Sequence, residues 1–302
     1  MKMFFYVTIF IFCSSLVFGE ISFGVGTILR SVKSNLEVTD NKKLNVLGKP
    51  DTLESDFIPV LELRFAKDSD GKTFFVGTDF SEGLNGVSAG VKNKSESGKI
   101  TSALLFNPFK KVWKDPYLKY VNRSETNAYE YGGYFKWEGI KRTDLSVKYF
   151  LKYTDVKNDD VVFGDLKRDS FFQSFGVSYN IGTGLKGFAL VPELGLAYNS
   201  ARGKSMSYKG YFGGLSGVYV SNHKRFFAKI QYENEFFNKK DPLFLKTRND
   251  KKISATLGAT VKNILNKGLY TTLITEYSAG DTKIDFYYES KLFMAILVGY
   301  EF

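Results

Sequence analysis

The 302-residue sequence holds 42 Lys and Arg against 32 Asp and Glu, a formal charge of +10, with 43% hydrophobic and 17% aromatic residues but only 1 Cys. That aromatic content excludes a disordered chain, and the lack of cysteines excludes a disulfide scaffold. The basic excess is scattered through the chain and forms no run, so no nucleic-acid partner is expected.

The chain opens with MKMFFYVTIFIFCSSLVFG, in which Lys2 precedes an apolar run and a small residue, Gly19, closes the segment. This order of charged, apolar and small residues predicts a secretory signal peptide over 1–19, with Glu20 as the mature start. The run falls short of the roughly 20 apolar residues that a spanning helix needs. Phe12, directly before Cys13, is too bulky for a lipid-attachment site, so the mature chain is expected to carry no cysteine. Residues 20–302 show no break in composition and predict one domain.

Along that domain the sequence alternates with a period of two. Near the middle, Tyr129, Tyr131, Gly133, Phe135 and Trp137 share a face opposite Glu130, Gly132, Tyr134, Lys136 and Glu138. The next stretch sets Leu145, Val147, Tyr149, Leu151 and Tyr153 against Asp144, Ser146, Lys148, Phe150 and Lys152. Similar segments surround Phe175, Leu194, Ile230, Leu257 and Leu273, and weaker ones surround Phe23, Leu61, Phe74, Val87, Leu104 and Leu215. The final stretch places Met294, Ile296, Val298, Tyr300 and Phe302 on one face. Period two means strand, and the tally is about fourteen, or twelve if the glycine-interrupted segments near Val87 and Leu215 fail.

The connectors alternate in length. Long loops are predicted at 33–55, 107–126, 154–169, 200–207, 237–251 and 279–283, with a brief link at 81–83. Short turns are predicted at 66–72, 95–99, 139–143, 182–186, 221–224 and 264–268. This is the pattern of an all-β transmembrane antiparallel β-barrel in a bacterial outer membrane, with periplasmic termini and long extracellular loops. A spanning sheet must close first strand to last, which makes the terminal strand structural and puts Tyr300 and Phe302 in an interfacial aromatic girdle. A soluble exported β-sandwich is the structural alternative.

The terminal alternation ending on Phe302 resembles the C-terminal assembly signal of outer-membrane barrels, which implies the barrel-assembly machinery as a partner. Over a longer stretch, GEISFGVGTILRSVKSNL, PDTLESDFIPVLELRF, WKDPYL and NRSETNAYEYGGYFK resemble an uncharacterised family of Gram-negative outer-membrane proteins catalogued as a domain of unknown function. That resemblance implies a location and an architecture but no reaction.

If the apolar set faces lipid, the lumen receives Glu62, Arg64, Asp79, Lys92, Glu130, Lys136, Lys148, Lys152, Glu193, Lys229, Glu233, Glu276, Glu289 and Lys291. Such a wall suits a narrow porin-like diffusion channel for small hydrophilic solutes, or else a set of ion-paired ladders filling a closed interior. Loop lysines such as Lys42, Lys43, Lys110, Lys111, Lys114, Lys239 and Lys240 would face lipopolysaccharide or steer anions, so a mild anion preference is expected. The alternative is a recognition or adhesion barrel, in which Trp113, Tyr117 and Tyr120 stack on sugars or line a lipid interface. No enzyme is expected, because the single His223 sits in a short turn without a partner nucleophile. Without cysteine or clustered histidine, no metal or cofactor is expected either. The oligomeric state stays open.

Overall fold

The computed structural model describes residues 20–79, 86–264 and 268–302. The predicted signal peptide, the 81–83 link and most of the 264–268 turn lie outside the described residues.

The chain runs through β1 (Glu20–Ser34), β2 (Glu54–Ser69), β3 (Lys72–Asp79), β4 (Gly86–Ser95), β5 (Gly98–Trp113), β6 (Glu125–Glu138), β7 (Leu145–Val156) and β8 (Ser170–Tyr179). After the two-residue β9 (Ile181–Gly182) come β10 (Phe188–Ala201), β11 (Tyr208–Val220), β12 (Lys224–Lys240), β13 (Thr247–Ile264), β14 (Leu269–Thr282) and β15 (Glu289–Glu301). Apart from β9, which only adds two rungs to β10, each strand pairs antiparallel with its neighbours in sequence, and β15 pairs with β1 from Ser22↔Glu301 to Ser34↔Glu289. The result is a closed barrel of fourteen strands, not a sandwich. The segments around Val87 and Leu215 both form full ladder partners, as β4 and β11.

The two faces of the wall differ as the alternation requires. Leu104 at 74% and Leu194 at 71% exposure belong to an outward belt that also includes Val25, Leu61, Ile230, Leu257, Met294, Ile296, Val298 and Tyr300. In water such a belt would forfeit about 25 cal/mol for each Å² of apolar surface, whereas in hydrocarbon it costs nothing. No helix among the described residues is long and apolar enough to cross a membrane.

The ladder also explains the strand prolines. Pro59 lies beyond the last β2–β3 rung, Arg64↔Gly77, and Pro108 sits in the β5 bulge between Asn107 and Lys110. Pro192 falls between the rungs that β10 makes with β9 and with β8. A residue without an N–H is tolerated where the ladder is interrupted. The β5 bulge corrects one expectation: β5 absorbs Pro108 and continues to Trp113, so the predicted 107–126 loop shrinks to 114–124. Polar strand ends likewise reduce 237–251 to 241–246 and move 279–283 to 283–288.

On the inner face, Tyr270 of β14 lies across Gly299 of β15 and reaches Gly24 of β1, and its hydroxyl donates to Glu62 Oε2 of β2 at 2.8 Å. Only glycine leaves room for the ring, because a Cβ at Gly299 would overlap it. The main-chain N–H of Phe302 adds a 2.9 Å bond to the Ile21 carbonyl beside this seam.

Removing residues 289–302 exposes the edges of β1 and β14, so the truncated chain is expected to lose the fast-migrating folded band on unheated SDS gels. Gly299→Leu is expected to lower the temperature at which that band unfolds, through overpacking worth on the order of 1–3 kcal/mol.

Candidate permeation pathway

The inward-pointing charges of the strands lie on alternate positions opposite the apolar belt, and one side of the interior is basic while the other is balanced. On β4–β7 the inner face carries Lys92, Lys94, Lys99, Lys110, Lys136, Lys148 and Lys152 against Glu130 and Glu138. On β10–β14 it carries Glu193, Glu233, Glu235, Asp250 and Glu276 against Arg225, Lys229, Arg248, Lys252 and Lys262, so that side is balanced. Lys136 and Lys148 stand directly opposite each other across the β6–β7 ladder. Like charges in that position cost stability. Glu138 offsets part of the cost by bridging Lys136 at 3.1 Å and Lys99 at 3.0 Å.

Nearer the loop end the charges are paired closely. Glu130, almost fully buried, accepts from Lys110 at 2.8 Å, Lys152 at 3.2 Å and Asn107 at 3.1 Å. Glu193 pairs with Lys229 at 2.8 Å. Lys291 bridges Glu289 at 3.0 Å and Glu37 at 2.7 Å, while Arg30 reaches Asp56 at 2.9 Å and Glu37 at 3.7 Å. Arg64 and Lys92 both lie over the Phe75 ring. Glu62 takes the Tyr270 hydroxyl, Glu233 takes the Gln231 amide, and Lys148 and Glu276 sit at inner positions of β7 and β14. The side chain of Asp79 lies outside the described part.

Glu37 was not foreseen, because it sits in a connector and not on a strand. Burial by itself would raise its carboxyl, but Lys291, Lys110 and Arg30 outweigh burial and hold it at about 2. The electrostatic tie between the 35–53 loop and the wall is therefore fully present above pH 4.5 and is lost as pH falls toward 2.

Above this belt, six loops meet over the mouth. Leu44, Tyr117, Val161, Leu166, Ile284, Phe286 and Tyr287 form a buried apolar centre, with Met206, Leu243 and Phe244 packed against it. These loops rise from different sides of the ring, so their contact makes a cap. Lys43↔Asn122 and Leu44↔Lys119 bridges join the first and third loops. Arg123 fixes the junction by donating to the carbonyls of Asn35 at 2.7 Å, Asn41 at 2.6 Å, Lys42 at 3.3 Å and Pro116 at 3.4 Å. Its guanidinium also lies 4.3 Å from the Trp113 ring centre. Burial pushes that guanidinium down to about 10, which still leaves it charged at neutral pH. Tyr287 donates to Asp241 at 2.6 Å and shares a 2.9 Å bond with Tyr117, and burial raises both phenols. Arg248 is sandwiched between the Phe237 and Tyr287 rings at 3.9 and 4.0 Å.

The cap overturns two of the three loop aromatics expected to meet sugars or lipid. Trp113 is fully buried and Tyr117 nearly so, because Trp113 donates to the Glu37 carbonyl and Tyr117 packs on Phe286; only Tyr120 remains exposed. The residues of the terminal strand, Met294, Ile296, Val298 and Tyr300, face outward, and the Phe302 ring packs 4.6 Å from that of Tyr300.

Residues 17–301 match a family described as a protein of unknown function, DUF2860. No curated protein matches the chain. Among solved structures it is similar to the CymD monoaromatic hydrocarbon channel, at 10% identity and a TM-score of 0.48 over 93% of this chain and 88% of that one. A FadL homologue of Pseudomonas aeruginosa is similar at 11% identity and a TM-score of 0.44, covering 93% of this chain and 90% of its own. An anion-selective porin from Comamonas acidovorans is similar at 13% identity and a TM-score of 0.38, over 94% and 99%.

Arg123→Ala strands several buried carbonyls at roughly 1–3 kcal/mol each, so it should expose 35–53 to added protease while the barrel keeps its folded gel band. Acidification from pH 4.5 to 2 should produce the same cutting in the native protein, and Glu37→Gln should produce it at pH 7.

Proposed function

The chain belongs to the DUF2860 family of proteins of unknown function, and on that premise we propose that its barrel is an outer-membrane diffusion channel for small hydrophilic solutes with a preference for anions. The observation that carries this reading is the excess of lysine on the inner face of β4–β7. A lysine-rich wall facing one of balanced charge sets a field across the path, and an anionic solute is drawn to the basic side and oriented there. The packed cap gives the channel a closed resting mouth, so conduction is gated by the loops. The apolar belt meets outer-membrane lipid, the exposed loop lysines meet lipopolysaccharide, and β15 is the strand read by the barrel-assembly machinery.

This reading assigns no catalytic step. His223 is exposed in the turn before β12, with the Asn263 amide 3.2 Å from its Nδ1. The adhesion reading draws little support from loops whose aromatics are turned inward.

Reversal potentials in planar bilayers under a potassium chloride gradient test the proposal. Anion preference is expected, and Lys136→Gln with Lys148→Gln is expected to reduce the anion-to-cation permeability ratio by roughly threefold or more, the loss of about one kT of potential. Cation selectivity in the native protein, or no current under any voltage or pH, would overturn it.

A further inference from the structure

The outward belt carries a hollow on β10–β14. Three small residues on adjacent strands form its floor: Gly217 of β11, Ala228 of β12 and Ala259 of β13. Gly217 pairs with Ala228, and Ala259 pairs with Phe226, two residues before Ala228. Large side chains rise beside this floor. Phe188, Tyr219 and Phe226 pair in a row along the turn side, and Leu257 and Leu273 stand on the β13–β14 side. The trough they enclose holds about 520 Å³ and has an apolar lining. Its positions alternate with those of Phe227 and Gly258, which pack ring against main chain on the lumen side, so the trough opens outward.

Lipid tails are as apolar as leucine, so burial alone selects nothing on a flat part of the belt. A trough selects by contact, because a chain lying in it touches wall on three sides and gains dispersion attraction from each. The wall of a second barrel is convex and meets such a hollow at its rim, whereas an acyl chain is thin enough to reach the floor. The turn end of the trough adds a charge. Lys224 pairs with Val261, two residues nearer the turn than Phe226 and Ala259; it is exposed and by alternation points outward like Phe226. Tyr219 and Phe226, with ring centres 6.2 Å apart, mark that level as an aromatic pair of the kind found at membrane interfaces. An anionic group there sits beside the ammonium while the tail it carries runs along the floor.

We infer that the trough is a binding site for one glycerophospholipid, with an acyl chain over Gly217, Ala228 and Ala259 and the phosphate at Lys224. Such a lipid comes from the leaflet at the turn end, away from the loop lysines proposed to meet lipopolysaccharide. The site rests on the membrane placement of the belt and is independent of whether ions flow through the lumen.

Native mass spectrometry of the purified barrel in detergent, titrated with palmitoyl-oleoyl phosphatidylglycerol, tests the site. A single adduct that saturates before any other is expected. Lys224→Gln is expected to weaken it roughly fivefold, the effect of one lysine beside anionic lipid. Palmitoyl-oleoyl glycerol, which lacks the phosphate, should bind the native barrel as weakly as phosphatidylglycerol binds that variant. Ala228→Phe, which fills the floor, should reduce the adduct several-fold, whereas Ala89→Phe, at an exposed alanine of β4 on the opposite side of the ring, should leave it intact. Adducts that accumulate without a first saturating step, or that the two phenylalanine variants leave alike, would overturn the site. So would a dimer that Ala228→Phe splits, since the trough would then be a contact between copies. If Ala228→Phe lacks the folded gel band, the Lys224→Gln comparison decides, and an unchanged affinity there overturns the site.

Discussion

The whole architecture depends on one constraint: a peptide group in hydrocarbon must find its hydrogen bond within the protein. The pairing of β15 with β1 meets it for the two strands that would otherwise be edges. Once the ring is closed, side chains must alternate between two solvents, and that alternation assigns every other residue. Leu194 and Leu257 then belong to lipid, while Glu193 and Thr256 belong to the interior. The charges of the inner wall are thus a consequence of closure, since an outward-facing lysine at mid-depth would cost roughly 2–4 kcal/mol.

Inside the ring, polar chemistry and apolar packing exchange their usual places. A soluble protein keeps its apolar core in the middle; here the middle carries ion pairs such as Glu130 with Lys110 and Lys152, and the buried apolar cluster sits among the loops. The cap is therefore the part that packs like a small globular domain. It is held to the barrel by polar ties at Glu37, Arg123 and Arg248, each made to a different strand or loop. Opening it requires breaking an apolar cluster as well as ion pairs, so acid alone loosens one anchor without dissolving the rest.

The sequence made the wall legible and left the cap illegible, for physical reasons. Period-two alternation is local, and it identified the fourteen strands, the inward charges and the outward terminal face. Loop packing is decided by which hairpins converge in space, and no local pattern encodes that. Trp113 looked like a solvent-facing aromatic in a basic loop because Lys110, Lys111 and Lys114 surround it, yet its ring closes a junction with Arg123. Glu37 and Arg123 carry no local signal of the contacts that they make in the cap. Pro108 lies within the predicted 107–126 loop and marks a bulge in β5. Taken with Pro59 and Pro192, it carried a signal about ladder interruptions that is readable once prolines are set beside strand register.

The Tyr270 bond to Glu62 has a further consequence. It skips over the two strands of the seam, so it can form only when both glycines beneath the ring have arrived at the correct height. Were β15 to insert two residues out of step, alternation would still place apolar side chains toward lipid, and the hydrophobic effect would scarcely notice the error. Leu297 or Glu301 would then lie where Gly299 belongs and lift the phenol away from its acceptor. The clasp thus proofreads insertion, telling the right alignment from its nearest plausible mistake.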